Sequence, residues 1–213
     1  MTKRTSENPQ YDDALRAGIE RNLAAHAAAP SPQTGLKRAA VCLIVADDGT
    51  GGAAVLLTRR AARLSAYAGQ FALPGGRVDP GETAAQAALR EAREEIGLEL
   101  APQAILGRLD DYATRSGYLI TPIVAWAPAD ASTAANPAEV AEIYRVQFSE
   151  LGRPGSPEFV AIAESDRPVI RYPLFGTVVH APTAAVLYQF MEVAVHGRAT
   201  RVAHLEQPPW AWR

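Results

Sequence analysis

Residues 76–98 read GRVDPGETAAQAALREAREEIGL, and three of their glutamates stand at a spacing that can hold a metal ion. On a helix, at ~100° per residue, Glu94 and Glu95 fall about −60° and +40° from Glu91, so three carboxylates share one face. Carboxylates on adjacent turns repel one another by about a few tenths of a kcal/mol per pair, a cost that a divalent cation removes. Hard oxygen ligands suit magnesium or manganese, and magnesium is usually shared between carboxylates and substrate phosphates. The other reading of the same residues is a solvated acidic face paired with Arg90 and Arg93.

The segment that carries these glutamates has clear helix boundaries. Thr83 and Gln86 can form a capping box, and Gly97 can adopt the left-handed C-cap, which predicts a helix over 84–96. Ala85, Leu89, Ala92 and Ile96 form its packing side, while Ala84, Ala87 and Ala88 lie near the acidic face, where small side chains admit a ligand. Upstream, 39–46 and 53–58 read as strands joined through the turn-rich 47–52, and a basic loop over 59–74 leads to Pro74-Gly75-Gly76. Strands are expected at 104–113, 118–127, 142–148 and 169–172. Helices are expected at 11–28, with Leu15, Ile19 and Leu23 at four-residue steps, and at 182–195. Helices at both ends and in the middle of a mixed set of strands predict an α+β class, a layered αβα domain with flanking helices. The expected organisation is a helical extension over 1–35 followed by one domain over 36–213.

Composition narrows the partners. The 21 basic and 23 acidic residues give a net charge of −2, so nothing global draws the chain to nucleic acid or an anionic membrane, and an anionic ligand must be held locally. The single cysteine, Cys42, rules out an internal disulfide and a cysteine-rich zinc site; it reads as a core residue and fits a cytoplasmic protein. The longest apolar runs are strand-sized, and no apolar core follows the basic residues at the start, so neither a membrane helix nor a secretory signal is expected.

Residues 76–98 resemble the Nudix box, Gly-x5-Glu-x7-Arg-Glu-U-x-Glu-Glu-x-Gly-U, where U is a bulky aliphatic residue. Gly76, Glu82, Arg90, Glu91, Glu94, Glu95, Gly97 and Leu98 stand in register, and only Ala92 is smaller than the pattern asks. The resemblance implies a Nudix hydrolase, an αβα sandwich with a mixed sheet that uses magnesium or manganese to split a nucleoside diphosphate linked to another group. It implies Glu91, Glu94 and Glu95 as metal ligands, with the Gly76 carbonyl added, Arg90 orienting a glutamate, and Glu82 in an outer position. A diphosphate repels an incoming nucleophile, so metals must neutralise its oxygens and acidify water; Glu94 or Glu95 is the expected general base.

Residues 56–76 resemble the motif of the coenzyme A pyrophosphatase branch through Leu56, Leu57, Thr58, Arg60, Ala61, Gly69, Pro74, Gly75 and Gly76. Ser65 and Leu73 depart from that motif, and Tyr67 stands where many members carry histidine. The expected partner is therefore a small nucleotide: coenzyme A or an acyl derivative, cleaved to 3′,5′-ADP and phosphopantetheine. An ADP-ribose or other nucleoside diphosphate pyrophosphatase is one alternative, and a nucleotide-sensing module without turnover is another. Arg59, Arg60 and Arg63 are expected to pair with phosphates, and Tyr67 to stack on adenine or to cover the core edge. Glu139 or Glu142 would be an outside metal ligand or base, or else an exposed loop glutamate. His180, His196 and His204 show no ligand spacing and read as structural. Trp210 and Trp212 read as a docked strap or as an oligomer contact, with a homodimer the assembly implied by the latter.

Overall fold

The computed structural model describes residues 7–62 and 69–212. In chain order the elements are α1 (Asp13–His26), β1 (Lys37–Asp47), β2 (Ala53–Arg60), β3 (Phe71–Ala72), β4 (Gly75–Arg77) and α2 (Ala84–Ile96). They continue with β5 (Ile105–Arg108), β6 (Tyr112–Ala113), β7 (Tyr118–Trp126), β8 (Val140–Gln147), α3 (Phe148–Leu151), β9 (Glu158–Ile162), β10 (Ser165–Leu174), β11 (Thr177–His180) and α4 (Thr183–Gln189).

β1 is the centre of an eight-stranded mixed sheet. It runs parallel to β7 from Lys37↔Tyr118 to Val45↔Trp126, antiparallel to β2 across the 47–52 turn, and antiparallel to the short β4. β8 pairs antiparallel with β2, and β5 and β6 pair antiparallel with β7. Successive β1 side chains alternate between two cores, as the period of two requires. Ala40, Cys42, Ile44 and Ala46 pack against Ala87, Ala88, Ala92 and Ile96 of α2. Leu43 and Val45 face the other way, where Ile19 and Leu23 of α1, Leu187 of α4 and Phe190 complete the larger core. The result is a sandwich with α2 on one side of the sheet and α1 and α4 on the other. Cys42 is fully buried, and burial pushes its thiol up to about 12.

α2 forms over the expected residues, with both halves of the Thr83–Gln86 capping box made and Gly97 in the left-handed conformation. α1 begins with Asp12 accepting a hydrogen bond from Leu15 N–H, which satisfies an otherwise unpaired donor of the first turn. Three sequence expectations change. The strand expected over 104–113 is two short strands, because Asp110 and Asp111 leave the β7 ladder and Asp110 turns inward to buried partners. The strand at 169–172 extends to Ser165–Leu174 and becomes the middle of a second, three-stranded sheet with β9 and β11. The C-terminal helix changes to π-helical winding over Phe190–Val195. No helix among the described residues is long and apolar enough to cross a membrane.

Candidate active site

Arg90 organises the acidic side of α2. Its Nε and Nη2 donate to the two Glu82 carboxylate oxygens at 3.0 and 3.1 Å, a bidentate pair. Nη1 donates to Glu91 at 2.8 Å and to Glu94 at 3.1 Å, and Nη2 also reaches the Arg77 carbonyl at 3.0 Å. Glu82 lies at the entry to α2, where its carboxylate also accepts from Asp79 N–H at 3.0 Å. The Arg90 hydrogen bonds hold the Glu82 carboxyl below the ordinary carboxylate range, and Glu82 in turn raises the Arg90 pKa.

The three box glutamates do not share one solvent face. Glu94 is exposed, Glu91 is mostly covered, and Glu95 is only 3% exposed on the side of α2 that meets the sheet. Ala87 and Ala88, expected beside the acidic face, are fully buried against the sheet. The helix sits close enough to the sheet for its inner stripe to widen, taking in the position five residues beyond Arg90. Burial, then the charges of Glu91 and Glu139, push the Glu95 carboxyl up to about 8, while Arg60 and the Gly75 N–H pull the other way. Burial is also the main cause of the raised Glu91 pKa.

Gly76 explains how Glu91 fits. A β-carbon there would lie 2.2 Å from Glu91 Oε1, so the carboxylate occupies space that only glycine leaves open. Gly76 itself is set by β4, which pairs with Ala40 of β1. Among the described residues no three His, Cys, Asp or Glu side chains form a ready-made cation cage, because the Arg90 guanidinium stands among Glu82, Glu91 and Glu94. The donor set still fits a hard divalent cation. It consists of carboxylate oxygens on successive turns, one of them lodged against the glycine of a neighbouring strand.

On the face of the sheet opposite α2, reached across Gly75, lies a cavity of about 350 Å³ whose wall includes Gly75, Phe71, Leu73, Tyr118 and the Arg60 side chain. Arg60 Nε is buried without a hydrogen-bond partner among the described residues. Arg59 instead faces the opposite strand, where its Nη2 donates to Glu142 at 3.1 Å, and Tyr144 hydroxyl donates to the same carboxylate. The structure therefore brings Arg60, Glu91, Glu94, Glu95, Arg90 and Gly76 together and leaves Arg59 on an exposed pair. Arg63 and Tyr67, with Ser65, lie outside the described residues. Of the two outside glutamates, Glu139 acts electrostatically on Glu91 and Glu95, whereas Glu142 is held by Arg59 and Tyr144.

Part of the cavity had no sequence signal at all. Gln207, Trp210 and Ala211 of the C-terminal tail close one side, and Ala181, Pro182 and Thr183 another. More than eighty residues separate them from the box, so no local spacing points to them.

Comparison with known proteins agrees with this geometry. A protein of Photorhabdus laumondii described as an uncharacterized Nudix hydrolase NudL is 47% identical over 97 residues, 45% of this chain and 52% of that protein. A Yersinia pestis protein of the same description is 41% identical over 97 residues, 45% of this chain and 49% of that protein. The chain thus spans about half the length of the curated relatives it matches. The solved structure of a MutT/nudix family protein from Enterococcus faecalis shares the fold at a TM-score of 0.52 and 17% identity, over 86% of this chain and 73% of that one. The NUDIX domain family matches residues 36–170, a span that holds the capped helix, its glutamates, Gly76 and Arg60, and the chain belongs to the Nudix family.

Proposed function

We propose that this chain is a divalent-metal-dependent diphosphatase of the nucleoside diphosphate-X class, with coenzyme A or acyl-coenzyme A as substrate and 3′,5′-ADP and (acyl-)phosphopantetheine as products. The observation that carries the reading is the junction at Gly75 and Gly76. Gly75 lines the cavity and donates its N–H to Glu95, and Gly76 receives Glu91, so the carboxylates and the cavity lie on the two sides of one backbone junction.

Glu91, Glu94, Glu95 and the Gly76 carbonyl would hold magnesium or manganese. When bound, such an ion supplies charge neutralisation at the diphosphate and makes water more acidic. The protein's own residues do the rest. Arg90 fixes Glu82, Glu91 and Glu94 relative to one another through four charge-assisted hydrogen bonds, so the carboxylates need no reorganisation when substrate arrives. Arg60 offers a cationic side chain at the cavity wall for a phosphate oxygen, and Glu95, desolvated against the sheet, is suited to take a proton from water.

Coenzyme A is favoured by the upstream motif, of which Arg60 and Gly75 stand in the cavity wall. Leu73, one of the departures from that motif, is also a lining residue, so the substitution falls where it can alter fit. The test is chromatographic and mass analysis of products from coenzyme A, acetyl-coenzyme A, ADP-ribose, NADH, diadenosine polyphosphates and deoxynucleoside triphosphates, with magnesium or manganese. Preferential release of 3′,5′-ADP from coenzyme A supports the reading. Preference for ADP-ribose would move the substrate to another diphosphate, and no turnover of any of them would remove the enzymatic assignment.

A further inference from the structure

The cavity across the sheet from the glutamates carries little charge. Among the described lining side chains Arg60 alone is charged, and about half of the others are aliphatic, such as Val41, Leu73, Ile120, Pro182 and Val186. A second nucleotide phosphate deep in such a space would lose its hydration with only Arg60 among the described lining residues to replace it. Volume gives a second constraint. About 350 Å³ is at the small end for a ligand site and suits one limb of a larger substrate.

The C-terminal tail builds one side of this space, and it is fastened beside it. Arg115 donates to both Glu206 oxygens, at 3.2 and 2.5 Å, and its backbone N–H donates to Gln207 Oε1 at 2.7 Å. The same guanidinium lies 4.8 Å over the Trp212 ring, and Trp212 Nε1 donates to the Gln207 carbonyl at 2.9 Å. Glu206 is only 2% exposed, which makes this a buried latch. Arg167 Nη2 donates to the Leu205 carbonyl at 2.7 Å, and Tyr112 hydroxyl donates to that carbonyl at 3.1 Å.

One ring in the strap is left uncovered by these bonds. Trp210 lines the cavity, stays 50% exposed, and meets His180 at right angles with 5.3 Å between ring centres. A half-exposed indole on a fixed segment, facing an aliphatic space, is a contact surface for a ligand.

We propose that the latched tail is a specificity wall of the site, in which Trp210 and the aliphatic lining bind the uncharged, largely aliphatic limb of the substrate, with the diphosphate at Arg60 and the nucleoside outside the cavity. This deepens the functional reading above and rests on it for the identity of the diphosphate. The lining calls for a limb without charge, with aliphatic groups against Val41, Leu73 and Ile120 and polar groups within reach of Gln70, Ser116 and Thr183.

The test uses the full chain without added metal, so it does not depend on turnover. Pantetheine, which carries the limb without any phosphate, is titrated against tryptophan fluorescence, with the Trp210→Phe protein separating the Trp210 signal from Trp126 and Trp212. Calorimetry with the Trp210→Ala protein measures the affinity that the ring supplies. A saturable Trp210 signal with pantetheine, weakened about tenfold or more in affinity by Trp210→Ala, supports the proposal. So does a rise in KM with unchanged kcat for substrates that carry the limb. No saturable signal with pantetheine, or a Trp210 signal with adenosine instead, overturns it. The two readings fail separately: pantetheine binding in a protein that does not cleave coenzyme A keeps the wall and removes the proposed substrate, and cleavage without pantetheine binding does the reverse.

Discussion

Replacing Gly76 with alanine should remove activity while sparing the fold. The new β-carbon falls 2.2 Å from Glu91 Oε1 and 2.5 Å from its carboxyl carbon. The carboxylate must retreat by about 1 Å to restore ordinary contact, and a misplacement of about 1 Å can cost about a hundredfold in rate. Folding suffers little, because the displaced atoms are the far end of a flexible side chain. The retreat strains one hydrogen bond, Arg90 Nη1 to Glu91 at 2.8 Å, while Arg90 keeps Glu82, Glu94 and the Arg77 carbonyl. A loss of about 1 kcal/mol is therefore expected. The neighbouring glycine is the control. At Gly75 a β-carbon falls 2.5 Å from the Ala40 carbonyl oxygen and 2.8 Å from Val41 Cα, backbone atoms of β1 that cannot yield without opening the β1–β4 pairing. Gly75→Ala should cost about 1–3 kcal/mol or more through overpacking. Urea unfolding followed by circular dichroism, with turnover of the best diphosphate substrate, reads both quantities in each protein. Wild-type turnover in Gly76→Ala, or a stability loss equal to that of Gly75→Ala, would refute the reasoning.

Other outcomes follow from the same geometry. Glu95→Gln should cut turnover by about a hundredfold and leave the unfolding midpoint at neutral pH nearly unchanged, because a carboxyl pushed up to about 8 is already mostly uncharged there and glutamine keeps an acceptor for the Gly75 N–H; kinetics and urea melts check this, and a lowered midpoint with normal turnover contradicts it. Arg90→Ala should lower both activity and stability, the latter by about 1–3 kcal/mol, since it leaves Glu82, Glu91 and Glu94 without their shared donor. Arg90→Lys, which cannot make the bidentate pair, should recover only part of either. Away from the site, Asp110 accepts from Ala29 N–H, Gln189 Nε2 and Arg201 Nη1. Burial alone would raise its pKa, but the Ala29 and Gln189 hydrogen bonds and Arg201 outweigh it and hold the pKa below the ordinary value. Its contribution to stability is thus fully present above the unfolded-state pKa of about 3.9 and is lost as pH falls through the lower folded value. Urea midpoints between neutral and strongly acidic pH should fall less steeply in Asp110→Asn than in the wild type, and parallel slopes would exclude Asp110 as a source of the acid sensitivity.

Sequence reading reached furthest where the determinants are local. The capping box at Thr83 and Gln86 and the C-cap glycine set both ends of α2, and the 47–52 turn with its flanking apolar runs gave the β1–β2 hairpin. It failed where tertiary contact decides. Helical spacing put Glu91, Glu94 and Glu95 within one arc, but how deeply that arc enters the domain depends on the sheet, and the alanines Ala87, Ala88 and Ala92 let α2 approach until Glu95 was covered. β9 and β11 escaped because they are short and only partly covered, with Phe159 and Ala161 exposed on one face of β9, so no clean alternation marks them. The tail was legible as a strap but not as a cavity wall, since its position comes from Arg115 and Arg167, each about 40 or more residues away in the chain.

Placement of the two arginines settles a conflict that spacing alone leaves open. Acidic residues on successive turns argue against a stable helix unless something cationic stands near, and a divalent ion and a solvated face paired with arginines are the two remedies. Both can operate in this chain, because the arginines act on different oxygens. Arg90 takes one oxygen of Glu91, one of Glu94 and both of Glu82, so the second oxygens of Glu91 and Glu94 make no bond to it. Glu95 lies apart from Arg90, with Arg60 and the Gly75 N–H as its favourable partners. Arginine pairing therefore fixes the carboxylates without consuming their capacity to bind a cation. The same arrangement makes Glu82 a support: it spends both oxygens on Arg90, and its value lies in holding the guanidinium where Glu91 and Glu94 can share it.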